Sequence, residues 1–223
     1  MSLHLGKIHY WLFNKIIWFQ NLEKDIIELA KSEGIDTNNI LNKINSQYGE
    51  MLPNSPLEDM IDKTNIHGWL QDKITLSESR MAEWTKVILK CNNGELKLEN
   101  VYIKQGMKAG QEALKNKKSF NSAKEIYNGI NDYILDGMPC DRVDELIYSD
   151  DLKVQWRKRI CVHKKIWEEL GVDVKIFYHL RALWIKAFVT EVNSNFYYDE
   201  KEDGTMVIQD SMMNDEILIY DLD

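Results

Sequence analysis

Proline occurs three times in 223 residues. A proline inside a helix removes a hydrogen bond and clashes with the preceding turn, so its scarcity leaves room for long helices. Cysteine is equally scarce: Cys91, Cys140 and Cys161 are odd in number and far apart. That excludes a disulfide framework and points to a reducing, cytoplasmic setting. There is no excess of base. The net charge is −8, and nine acids against one base between Asp199 and Asp223 account for all of it. A neutral body with an acidic tail excludes a general nucleic-acid binder, which needs a basic surface. No apolar run approaches the roughly 20 residues of a membrane span, and no small-residue cleavage site follows the early apolar stretch. The chain therefore reads as soluble. Met1-Ser2-Leu3 has the look of a cloning remnant, which would put His4 beside a natural start.

What is present is helical periodicity. Nine of the twelve residues from Ile8 to Phe19 are apolar. A surface helix carries one apolar stripe, whereas a helix apolar on most sides is covered on most sides. This run predicts a buried N-terminal helix over 6–33, stopped at Gly34, with a short helix capped by Asp36 after it. Ser55-Pro56-Leu57-Glu58 has the pattern of a capping box and predicts a long helix to Cys91, with His67, Leu70, Ile74, Trp84 and Ile88 inward. A helix over 95–115 carries Gly106 and Gly110 on one face, a spacing that fits close helix packing. A second capping box at Ser122-Ala123-Lys124-Glu125 opens a helix that Gly137 ends. Helices over 142–148, 152–170 and 174–192 complete the series, the second with Leu152, Trp156, Ile160, His163 and Trp167 inward. After Asn193 the period falls to two. Phe196-Tyr197-Tyr198 and Met206-Val207-Ile208 flank Glu202-Asp203-Gly204 as a hairpin, and Glu216–Tyr220 could add a third strand. The expected fold is all-α or mainly α: a multi-helix bundle around the N-terminal helix (1–192) with an acidic β appendage, a hairpin or three-stranded antiparallel sheet (193–223), packed on it.

Chemistry-bearing residues are few. His4 and His9, five apart on a helix, point about 140° away from each other, and Cys161 and His163 about 200°. Neither pair can share a metal on an unbroken helix. There is no H-E-x-x-H, C-x-x-C or paired E-x-x-H, so the strong local metal signatures are absent. A non-local set remains: His9, His67 and His163 on three inner faces and His179 on a fourth. Glu78 is a further ligand or the partner that orients a ligand histidine, and Zn or Fe is the matching ion. Cys140 follows Pro139 and precedes the expected helix over 142–148. The helix dipole and Arg142 would favour its thiolate, and His163 would complete a Cys–His catalytic pair. Trp156, with Asn14, His67 and Arg181 as polar groups, could line an apolar pocket for a small flat ligand. Lys153, Arg157, Lys158, Arg159, Lys164 and Lys165 form one basic helix side for an anionic partner or for the tail.

Three function classes follow: a metal- or small-ligand-binding helical protein, a non-enzymatic interaction protein using the tail or the basic helix, and a cysteine-dependent hydrolase or transferase. Oligomeric state is left open by these features.

Overall fold

The computed structural model describes residues 5–214. In chain order the elements are α1 (Lys7–Ser32), α2 (Thr37–Tyr48), α3 (Leu57–Met60), α4 (Ile66–Leu89), α5 (Gly94–Lys117) and α6 (Ala123–Asn131). A single 3-10 turn, Pro139–Asp141, leads to β1 (Asp144–Ser149) and β2 (Lys153–Lys158). Then come α7 (Lys164–Glu169), α8 (Val174–Val192), β3 (Phe196–Glu200), β4 (Met206–Asp210) and a last 3-10 turn, Ser211–Asn214. The described chain is thus mostly helical with one four-stranded antiparallel sheet, ordered β1-β2-β4-β3. None of its helices is long and apolar enough to cross a membrane.

The chain forms two compact units. The first comprises the chain up to Val101 with Asp132–Asp141 and Val162–Phe177. Here α1 packs on α4 and α2, and α7 on α4. Leu12, Ile16, Ile26, Leu70, Ile74, Trp84 and Trp167 are almost wholly buried. The apolar run of α1 is covered on more than one face but not all round. Tyr10, Trp11 and Trp18 are half-buried, while Ile8 and Asn14 are exposed. Trp11 donates its indole N–H to Asp132 at 2.8 Å, and the Lys15 ammonium sits 3.5 Å from the centre of its ring.

The helix expected over 55–91 is broken. Ser55 caps nothing, and α3 is one turn long. The Asp62 carboxylate accepts from the Thr64 N–H and hydroxyl and turns the chain. Asn65 then caps α4 by accepting from the Gly68 N–H at 3.1 Å. A Cβ at Gly68 would lie 2.2 Å from the Asn65 side chain, so this glycine makes room for the cap.

The second unit comprises Tyr102–Asn131, Arg142–Cys161 and the chain from Tyr178. Close packing at the two glycines of α5 is realised. A Cβ at Gly106 would lie 2.3 Å from the Trp184 carbonyl oxygen, and one at Gly110 2.9 Å from Glu191. Trp184 donates to Gln105 at 2.6 Å in the same contact. The C-terminal hairpin also forms as expected, with Tyr198 opposite Ile208.

The expected helices over 142–148 and 152–170 do not exist. In their place stand β1, β2 and the short α7. The cause is local and then tertiary. The Asp150 carboxylate accepts from the N–H groups of Leu152 and Lys153, at 2.9 and 2.7 Å. Its own N–H donates to the Lys153 carbonyl, which closes a hairpin turn. β2 then pairs with β4, Val154 opposite Ile208, and buries Val154 and Trp156 on alternate positions. The basic residues 153–159 therefore lie along and just beyond a strand and do not form one helix side. The sheet takes its third and fourth strands from this hairpin. The strand expected at Glu216–Tyr220 lies outside the described residues.

Candidate functional site

His163 precedes α7 in the first unit and is fully buried. α4 places Glu78 against one edge of its ring, Nδ1 to Oε2 at 2.8 Å. The segment after α6 places Asp136 against the other, Nε2 to Oδ1 at 2.7 Å. Phe177 packs on the ring with centres 4.7 Å apart, and Trp167 stacks on Phe177 at 4.5 Å. A neutral imidazole has one N–H donor and one acceptor nitrogen. Two ring-to-carboxylate bonds therefore need two protons in the triad, on the ring as imidazolium or one of them on a carboxyl. The carboxylates sit on opposite ring edges, so the three groups do not converge on one point as ligands of a single ion would. The arrangement holds protons and ties three segments together. Glu78, expected as a ligand or an orienting partner, is brought to His163. Asp136 was not singled out from sequence, because Leu135-Asp136-Gly137 read as a helix end.

A second buried pair lies in the same unit. Arg80 on α4 meets Glu23 on α1, Nη2 to Oε1 at 2.9 Å, with both side chains almost wholly buried. Nη1 of Arg80 also donates to Asn45 on α2 at 2.7 Å and to the Gly49 carbonyl. Burial pushes the Glu23 carboxyl up from its ordinary range, and Arg80 offsets part of that. A cleft of about 470 Å³ opens above this network, lined by Lys24, Lys31, Leu41, Asn45, Met51 and Arg80 among others.

His9 and His67 come together, with ring centres 5.6 Å apart. His9 is the third residue of α1, and its Nδ1 accepts the Gly6 N–H at 2.9 Å. That acceptor role fixes the proton of neutral His9 on Nε2. Burial, and then the neighbouring His67, hold its pKa below the ordinary 6.5. Among the described residues, no cluster of three His, Cys, Asp or Glu ligand atoms includes His9, His67 or His163. His179 lies exposed on α8.

Cys140 is exposed in the Pro139–Asp141 turn. The helix that was to activate it is strand β1, so no helix dipole acts there. Both nitrogens of His163 are already bonded to carboxylates. In the second unit Trp156 is buried between Tyr127 and Tyr198, at 5.0 and 6.0 Å. Arg181 is buried near Tyr102 and Tyr198, whose hydroxyls burial pushes far above their ordinary range.

The feature missed from sequence is an edge. Among the described residues, β1 is the outermost strand on its side of the sheet. Leu146, Ile147 and Tyr148 are each about half exposed, as are Leu152 in the turn and Ile160 beyond β2. The register shifts between Leu146 and Tyr148, so Ile147 sits at a bulge. Glu145 pairs with Arg157 and Asp144 with Lys158, each at 2.8 Å. Arg142 and Arg159 are exposed at the same end, where the Arg159 N–H meets the Val143 carbonyl. No protein-family model matches the chain, and neither a curated protein nor a solved structure is similar to it.

Proposed function

We propose that this is a non-enzymatic interaction protein whose docking surface is the open edge of β1. One observation carries the reading: five large apolar side chains stand about half exposed in and just beyond one hairpin, whose first strand is outermost in the sheet among the described residues. Edge strands are ordinarily blunted by lysine, proline or a covering element, because a bare edge is a template for another strand. Leu146-Ile147-Tyr148 carries neither lysine nor proline, and the bulge at Ile147 leaves all three side chains about half exposed. An extended peptide could add to such an edge, with main-chain hydrogen bonds supplying affinity and alternate side chains selecting sequence.

The test is selection of binders from a random peptide library displayed against the full chain. Enriched peptides are expected to be extended and β-branched and to lose binding to Ile147→Lys, which charges the edge without touching the core. Peptides indifferent to that change would contradict the reading.

The metal- or ligand-binding class keeps one supporting observation, the approach of His9 and His67 on one surface. To ligate an ion, His9 would have to release the Gly6 N–H. A Zn²⁺ titration followed on the two imidazoles tests it. Shifts at both rings with loss of the Gly6 hydrogen bond would favour it, and unchanged rings would dispose of it.

A further inference from the structure

A buried ion pair shapes a cleft in the first unit. Arg80 on α4 and Glu23 on α1 meet with both side chains almost wholly out of water. Desolvating two charges costs about as much as their attraction returns, so the pair by itself adds little stability. What an apolar pair could not do is hold polar groups at fixed positions. Arg80 donates to Asn45 at 2.7 Å and to the Gly49 carbonyl, which fixes the end of α2 and the start of the loop after it. The opening framed by α1, α2 and that loop is the cleft of about 470 Å³. Small-molecule sites typically measure roughly 300–1,000 Å³.

We propose that this cleft binds a small zwitterion with an apolar body, of the amino-acid or dipeptide class. Its carboxylate meets Lys24, its ammonium meets Glu50, and its apolar part lies against Ile27, Leu41 and Met51. The site is in the first unit and does not depend on the docking reading of the second.

Charge selects the class. α1 offers Lys24, Ile27 and Lys31 to the cleft, three and four apart and hence on one face. Two of the cations there are already matched: Lys31 with Glu28 at 2.6 Å, and Arg80 with Glu23 at 2.9 Å. Lys24 is not. Among the described residues its ammonium donates only to the neutral Asn21 amide oxygen, at 3.1 Å. Glu50 lines the cleft from the loop after α2, with no hydrogen-bond or ion-pair partner among the described residues. One cation and one anion are therefore left over, on different walls. A simple anion would answer Lys24 and be repelled by Glu50, and a simple cation would meet the reverse. A molecule carrying both charges answers both.

The rest of the lining suits an apolar body. Ile27 is buried, and Leu41 and Met51 are half-buried in the walls. The unbranched thioether of Met51 can adapt to side chains of different shape.

The experiment titrates leucine and leucyl-leucine into the full chain, with the Met51 and Leu41 methyl groups followed by NMR. Saturable shifts at both residues are expected. Blocking one charge of the dipeptide, as N-acetyl-leucyl-leucine or leucyl-leucinamide, is expected to weaken binding about fivefold, the order of one exposed ion pair. Lys24→Gln should erase the penalty for the amide and keep that for the acetylated form. Glu50→Gln should do the converse. Both side chains are exposed, so neither change disturbs the core. Absence of saturable shifts at Met51 and Leu41 with both probes would overturn the inference. Blocked forms that bind as tightly as the zwitterion would also overturn it, as would penalties that survive both substitutions.

Discussion

His163 bonds a carboxylate at each ring nitrogen inside an apolar wall of Phe177 and Trp167. Replacing it with alanine leaves Glu78 buried with its partner gone. Breaking a buried pair in this way costs about 3–5 kcal/mol. His163→Ala is expected to lose that much in urea unfolding, and a loss below about 1 kcal/mol would show that the triad is not a tie. His9 makes the opposite kind of prediction, one of pH. Its pKa is lowered in the folded state, so neutral His9 contributes stability that is complete above the ordinary 6.5 and lost as pH falls through the lowered value. Protonation turns Nδ1 from acceptor to donor and must break the bond from the Gly6 N–H. The Gly6 amide is expected to lose protection on acidification in step with the His9 ring, read by NMR. A Gly6 amide indifferent to that titration would separate the two groups.

At the scale of elements, the α5–α8 contact in the second unit depends on the missing side chain at Gly106. Gly106→Ala would force a methyl to 2.3 Å from a backbone oxygen, which cannot swing away. Overpacking of this kind costs about 1–3 kcal/mol. At Gly34 the space is open and only the backbone angle, φ +74°, resists a side chain, so Gly34→Ala is expected to cost about 1 kcal/mol. Thermal melts of the two variants should rank in that order. The same elements show what could be read in advance. α1, α2, α5 and α8 were legible because stripe and stop agreed locally: Gly34 ends α1, and Asp36 caps α2 through the Asn39 N–H. The β3–β4 hairpin was legible because alternation flanks a turn glycine. The β1–β2 hairpin was not, because Leu152, Trp156, Ile160, His163 and Trp167 fall four, four, three and four apart, which imitates a helix stripe. What decides between the two is the Asp150 turn and the pairing of β2 with β4, some fifty residues away. The local pattern carries no record of that pairing. The capping box at Ser55 failed for a related reason. The turn at Asp62 and the cap at Asn65 start the long helix instead.

For the whole molecule, the distribution of polarity matters more than its amount. Inside the first unit, charges are paired: Arg80 with Glu23, His163 with Glu78 and Asp136. On the second unit the hairpin of β1 and β2 leaves apolar side chains outside, along a strand that is outermost among the described residues. Histidine identity and spacing suggested a converging centre. The actual positions depend on where the chain turns, and those turns assigned His9 to a helix start and His163 to a buried tie. Exposure of an edge is a property of sheet order, which no single segment encodes. An edge built for docking should tolerate change in the free protein. Ile147→Lys is expected to unfold within about 0.5 kcal/mol of the parent chain while losing every edge-dependent binder.

The most direct measurement is the amide exchange and cross-strand proton contacts of β1 with a library-selected peptide bound. The account predicts new contacts between the peptide backbone and β1, with protection confined to its outward amides and to Leu146, Ile147 and Tyr148. Binding that leaves β1 unchanged and perturbs the cleft above Arg80 or the His9–His67 pair instead would contradict it.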